Sequence, residues 1–192
     1  MFEPPVKVAF LMREFQPDWF VAGGWAIDLF LGKETRPHED IEFAIFRRDQ
    51  FELQNYLQGW SLRKVVNGEL SEWKKEEFLE LPVHEIHCFS ETAEPYRLEI
   101  LLNETKGKDW IFRRDKRITK PISKLFLTTE SGIKFLRPEI VLLYKSKNPR
   151  EKDERDFQTA VEFLDSESKE WLRNSLSVCY SGHDWLKTLQ KI

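Results

Sequence analysis

Residues 20–46, FVAGGWAIDLFLGKETRPHEDIEFAIF, limit the fold more than any other part of the chain, because they place two acids at alternate positions at the head of an apolar run. In DIEFAIF, successive side chains point to opposite faces of a strand. Asp40, Glu42, Ala44 and Phe46 therefore share one face, and Ile41, Phe43 and Ile45 take the other. At about 3.3 Å per residue the two acidic α-carbons lie roughly 6.5–7 Å apart, which lets their oxygens converge on one or two cations. Paired carboxylates on the inward face of a β-element are costly unless something positive lies between them. Hard oxygen ligands of this kind suit magnesium carrying a nucleotide.

Ahead of the acids, residues 19–22 read as a short apolar strand, Gly23-Gly24 as a turn and residues 25–31 as a helix closed by Gly32 in a left-handed cap. Glycines let the backbone approach a ligand closely, and the free amides of the helix start point at any anion there, with the helix dipole adding to the attraction. Phosphate is the natural candidate. A Gly-Gly turn is weak evidence alone, but followed about sixteen residues later by Asp-x-Glu on a strand it is much more specific.

GGWAID followed by TRPHEDIEFAIFRRDQ resembles the aminoglycoside-2''-adenylyltransferase and lincosamide nucleotidyltransferase group of the DNA polymerase β-like nucleotidyltransferase superfamily. In that superfamily a Gly-Gly or Gly-Ser at a helix start precedes an acidic-x-acidic strand, and a later strand brings a third acid. The likeness is strong over residues 19–50, and LRPEIVLLYKSKNPREKDERDF at 136–157 is similar to the group's C-terminal helical region. It implies an α+β nucleotidyltransferase fold, a mixed β-sheet flanked by helices, with a catalytic domain over 1–136 and a helical C-terminal region over 137–192 packed on it. This chain carries Glu42 where the resistance enzymes usually carry Asp.

YRLEILLN at 96–103 alternates as a strand, with Leu98, Ile100 and Leu102 on one face and Arg97, Glu99, Leu101 and Asn103 on the other. An acid there is either solvent-facing or functional. The family pattern of a third carboxylate implies the second, and places Glu99 beside Asp40 and Glu42.

A chain of 192 residues with 41% hydrophobic content buries a real core, as one domain or a compact α+β domain with a helical tail. A net charge of −3 with 33% charged residues excludes the global basic surface of a nucleic-acid binder. No run approaches eighteen apolar residues, and MFEPPVKVAF lacks a basic region followed by an apolar one, so the expectation is a cytoplasmic protein with no membrane partner. Cys88 and Cys179 have no framework spacing and read as reduced structural thiols.

Elsewhere the pattern predicts a helix over 6–15, a helix over 49–57 capped by Asp49, a strand over 60–66 and a hairpin at Asn67-Gly68. SEWKKEEFLELP fits helix or loop, and PVHEIHCFS holds a further strand. His84 and His87 beside Cys88 lack a matching second pair and read as structural rather than as a zinc site. Strands follow in WIFRR, RITKP, KLFLTT and IKFL, with Arg113, Arg114, Lys116, Arg117 and Lys120 forming a solvated edge. Helices over 138–147, up to 164, over 168–179 and over 184–189 complete the chain.

These parts predict an enzyme that binds ATP, or another nucleoside triphosphate, with its phosphates over Gly23-Gly24 and the helix amides and bridged by Mg2+ to Asp40 and Glu42. A hydroxyl of a small-molecule acceptor, aminoglycoside- or lincosamide-like by the resemblance, attacks the α-phosphorus and pyrophosphate leaves. Glu99 is either the general base or a ligand to the second metal. Arg36, His38 and Lys145 are secondary candidates for triphosphate contacts, and each equally fits a structural role. The competing expectation is a non-catalytic nucleotide-binding or antitoxin-like protein of the same fold. Retention of all three acids argues against it. No nucleic-acid partner is expected, and the chain is expected as monomer or homodimer.

Overall fold

The computed structural model describes residues 2–190. In chain order the elements are α1 (Glu3–Leu11), β1 (Trp19–Val21), α2 (Gly23–Leu31), β2 (Glu42–Phe46), α3 (Gln50–Tyr56), β3 (Ser61–Val66), β4 (Glu69–Glu72), β5 (Glu85–Phe89), β6 (Arg97–Lys106), β7 (Asp109–Ile111), β8 (Thr119–Pro121), β9 (Phe126–Thr128), β10 (Lys134–Leu136), α4 (Pro138–Lys145), α5 (Glu151–Val161), α6 (Ser166–Cys179) and α7 (Trp185–Leu189). The strands form a mixed sheet in the order β4-β3-β5-β6-β2-β1-β10-β9, with β7 and β8 extending from the far half of β6. Most pairings are antiparallel. The parallel ones, β2 with β6 and β1 with β10, lie at the centre of the order.

Local chemistry explains most boundaries. Proline occupies the first turn of both α1 and α4, where a missing amide proton costs nothing. α2 ends at Gly32, whose φ of 69° is left-handed. Asp165 caps α6 by accepting a hydrogen bond from the Ser168 amide at 2.7 Å. The expected cap at Asp49 is absent, since its side chain makes no cap bond and the chain enters α3 through a 3₁₀ turn instead. SEWKKEEFLELP is neither helix nor free loop. Its first residues finish β4, and the rest crosses the surface with Trp73 and Leu79 buried, held by Gln50, whose side chain takes the Leu79 amide at 2.6 Å and donates to the Leu79 carbonyl at 3.3 Å.

β2 is inaccessible beyond Glu42, and Phe20, Phe43, Ile45, Phe46, Ile86, Leu98 and Ile100 carry the core on the sheet. α2 and α4 pack on each other, and α5 packs on both. The stretch expected as a solvated basic edge departs from that reading. Lys120 is buried, with its ammonium 2.7 Å from Glu139, and Arg114 donates to the Tyr144 carbonyl at 2.7 Å. These cations turn inward to partners on α4 and α6, Lys120 also lying over the Trp171 ring at 4.4 Å, while Arg117 remains outside.

Candidate active site

The site begins with two glycines. Gly23 opens α2 with φ at 58°, and a β-carbon there would overlap the Glu42 carboxylate. Gly24 follows, where a β-carbon would collide with the Arg36 guanidinium and lie 2.6 Å from His38 Cε1. Only glycine allows the helix start to press against an acid on one side and a basic pair on the other. The Ala22 amide is bonded to the Glu42 carbonyl at 2.9 Å, which fixes the helix start against the acidic strand. The first amides of α2 have no partner within the helix.

Glu42 is the first residue of β2 and lies opposite Glu99 in the parallel pairing with β6, so both side chains leave the sheet on one face. Asp40 lies just before the strand rather than in it, in a bend whose carbonyl accepts a hydrogen bond from Trp25 Nε1 at 3.0 Å. Even so, Asp40, Glu42 and Glu99 line one cavity of about 240 Å³, together with Gly24, Arg36, His38 and Lys145. Gly23 lines the adjoining cavity of about 290 Å³, which shares Glu42 and Lys145 with the first. All eight residues singled out in the sequence therefore converge on two adjoining cavities.

Burial pushes the Glu42 carboxyl up from its ordinary 4.5 to about 7. Asp40 adds to the rise, Lys145 opposes it, and Glu99 and Glu85 add smaller repulsions. A carboxyl in that position gains from a cation. The fit to divalent ions rests on this crowding of acids and on the close approach of the α2 backbone.

The basic candidates are held from behind. Arg36 forms a two-pronged pair with buried Asp156 of α5, at 3.0 and 3.1 Å. Lys145 lies between Asp153 at 2.8 Å and Asp156 at 3.0 Å. A lysine ammonium has three donors, so one remains for a ligand. Asp153 is buried, which opposes ionisation, but hydrogen bonds from Arg150 and Lys145 outweigh that and hold its carboxyl at about 2. His38 stacks on Trp25 with centroids 4.3 Å apart and donates Nε2–H to Asp28 at 2.6 Å. Its side chain is only 4% exposed, so it supports Gly24 and the loop while lining one edge of the cavity.

Several lining residues escaped the sequence reading. Glu85 of β5 and Arg150 at the start of α5 line both cavities, and Arg113, Arg114 and Lys147 line the larger one. His87 is brought opposite Glu99 by the antiparallel pairing of β5 with β6. Cys88 points the other way into the core, where burial pushes its thiol up, so His84, His87 and Cys88 share no site. Only Arg150 had a local signal, as the residue before the acidic first turn of α5.

A sheet with acids on adjacent central strands and a glycine-opened helix beside them defines a nucleotidyltransferase fold. The family model for aminoglycoside-2''-adenylyltransferase matches residues 6–159, and the chain belongs to that family. Three solved structures share its fold. The solution structure of the antibiotic-resistance factor ANT(2'')-Ia matches with a TM-score of 0.61 at 16% identity, over 94% of this chain and 92% of that one. The crystal structure of ANT(2'')-Ia in complex with adenylyl-2''-tobramycin gives 0.62 at 15% identity, over 93% and 98%. The lincomycin-bound lincosamide antibiotic adenylyltransferase LnuA gives 0.58 at 16% identity, over 84% and 97%. A search of curated proteins finds no match. Among the described residues no helix is long and apolar enough to cross a membrane.

Proposed function

We propose that the chain transfers AMP from ATP to a hydroxyl group of a small molecule, with Mg2+ as the metal. The observation that carries this reading is the seating of Gly23 directly on Glu42, itself paired in register with Glu99. That arrangement supports the reading because the three carboxylates of one cavity and the cations of the adjoining one meet at Glu42 and Lys145, beside the start of α2.

Asp40, Glu42 and Glu99 would hold the ions. Bound there, divalent cations neutralise phosphate charge and ease ionisation of the attacking hydroxyl. The protein's own groups do the positioning. The amides of Gly23 and Gly24 receive the phosphate chain, and the free donor of Lys145 reaches it from α4. Arg113, Arg114, Lys147 and Arg150 give the larger cavity a cationic wall suited to a polyphosphate. Arg36 and His38 act one step removed, holding the loop that carries Asp40. The acceptor oxygen forms its bond to the α-phosphorus as the bond from that phosphorus to the bridging oxygen breaks. Pyrophosphate leaves with the electron pair, and the hydroxyl proton passes to a carboxylate or to water. Glu99 supplies the third carboxylate, as proton acceptor or as ligand to a second cation.

The relatives' names supply the acceptor class to try first, aminoglycosides and lincosamides. Pyrophosphate release should be measured with ATP and Mg2+ across a panel of such hydroxyl compounds. Release that depends on an acceptor and disappears in a folded Asp40→Asn variant supports the reading. No release with any acceptor, or full release by Asp40→Asn, overturns it.

A further inference from the structure

The four histidines of the chain are not equivalent. His38 is bonded to Asp28, His84 Nδ1 lies 2.8 Å from the Pro82 carbonyl, and His183 holds the Ser146 carbonyl at 2.9 Å. His87 differs. Its Nε2 lies 2.6 Å from Glu85 Oε1, and a carboxylate only accepts, so that nitrogen carries the proton. The other nitrogen, Nδ1, then presents a lone pair, and it is fully buried with no hydrogen-bond partner. It faces Glu99, with Oε1 3.7 Å away. Ligand atoms of Glu85, His87 and Glu99 all lie within 4.8 Å of one another.

We infer that His87 Nδ1 and Glu99 together ligate a divalent transition metal, with Glu85 fixing the imidazole tautomer from behind. A carboxylate bonded to the far nitrogen of a ligating histidine is the usual means of orienting such a ring. Two ligands at about 2.1 Å from one ion lie roughly 3.0–3.5 Å apart, so the observed spacing needs to close by only a few tenths of an ångström. Arg97 also contacts Glu99 Oε1, at 2.6 Å, but its side chain is 55% exposed and free to swing toward solvent. The sheet extends the acidic row by one strand, from Glu42 on β2 to Glu99 on β6 to His87 on β5. A nitrogen ligand shifts preference from magnesium toward manganese, cobalt or zinc.

The inference rests on the nucleotidyl-transfer reading for the use of the metal, but its test does not. Mn2+ alone is added to the full chain and studied by pulsed electron paramagnetic resonance and titration. The expected result is a directly bound ¹⁴N in the wild-type protein, lost in a folded His87→Gln variant whose Mn2+ affinity falls about 10–100-fold. Mg2+ affinity, carried by the carboxylates, should barely move. Should His87→Gln not fold, Glu85→Leu, which removes the acceptor from Nε2, carries the test, with weakened Mn2+ binding expected and unchanged binding counting against the assignment. Mn2+ bound without ¹⁴N coupling in the wild type, coupling that survives His87→Gln, or no Mn2+ binding overturns it. Pyrophosphate release with Mg2+ is read separately. A chain that turns over ATP but shows no nitrogen ligation sinks only the His87 site, and one that ligates Mn2+ through nitrogen but releases no pyrophosphate sinks only the transfer reaction.

Discussion

Glu42 is enclosed by backbone on one side and by other acids on the other, and its protonation is therefore linked to folding. Its folded-state carboxyl titrates at about 7 against an ordinary 4.5. Between those values the folded chain binds a proton that the unfolded chain has lost, so stability falls as pH rises through that window. At 1.36 kcal/mol per pKa unit the loss is at most about 3 kcal/mol. Denaturant unfolding of the metal-free protein should show lower stability at pH 8 than at pH 5, and Glu42→Gln should remove most of that difference. An equal pH dependence in wild type and variant would mean that Glu42 is not the responsible group. The adjoining glycine gives a second test at this scale. Gly23→Ala places a β-carbon in the carboxylate's space at a left-handed φ, so a destabilisation of about 1–3 kcal/mol is expected, together with loss of Mg2+-dependent ATP binding measured by calorimetry.

At the scale of elements, what was readable from the sequence and what was not follow one physical division. The shared face of Asp40 and Glu42 was readable because a period of two decides which side chains lie together, Glu99 beside them only as what the family resemblance implies, and Gly32 and Asn67-Gly68 because left-handed backbone is chemically selective. Asp40 departs slightly, since the strand starts only at Glu42 and a bend delivers the first acid to the same cavity. Glu85 and His87 were not readable as site residues. Nothing local says that β5 lies beside β6, and the register that sets His87 opposite Glu99 exists only once those strands pair. Arg113 and Arg114 were misplaced for the same reason, Arg114 donating to the Tyr144 carbonyl of α4 and Arg113 lying over the Tyr144 ring, both far along the chain. Strand pairing also makes Glu99 decidable by experiment. If it is a ligand beside His87, Glu99→Gln lowers metal affinity and turnover together. A fall in turnover of about 10²–10⁴-fold with metal and nucleotide affinity unchanged would instead make it the base, and would count against the His87 site.

For the molecule as a whole, the site depends on contacts between the early loop and the late helices. Arg36 and Asp156 are 120 residues apart in sequence, yet they form a bidentate pair, and the same aspartate holds Lys145 of α4. Asp156 is 2% exposed, so removing its charge leaves Arg36 without its buried partner and Lys145 with Asp153 alone, at a cost on the order of 3–5 kcal/mol. Asp156→Asn should lower the unfolding free energy accordingly, and a loss below about 1 kcal/mol in urea titration would show that the pair contributes little.

A nucleotide seated between Gly23-Gly24 and Lys145 would join the sheet to α4 and so stabilise the whole fold. At a concentration one hundred times its dissociation constant, a ligand that binds only the folded state adds about 2.7 kcal/mol. For a chain of this size that corresponds to a rise in Tm of roughly 5–10 °C. Saturating ATP with Mg2+ should therefore raise the melting temperature by about that amount, and ATP without divalent metal by much less. Lys145→Met removes the donor that α4 offers to the phosphates and also unpairs Asp153 and Asp156, so its own melting temperature will be lower. The informative quantity is consequently the shift on adding ligand, compared with that of Lys124→Met, an exposed lysine away from both cavities. Lys124→Met should keep the full shift and Lys145→Met should lose most of it. An undiminished shift in Lys145→Met would show that the nucleotide does not reach α4, leaving the phosphate contacts to the α2 amides and the arginines of the larger cavity.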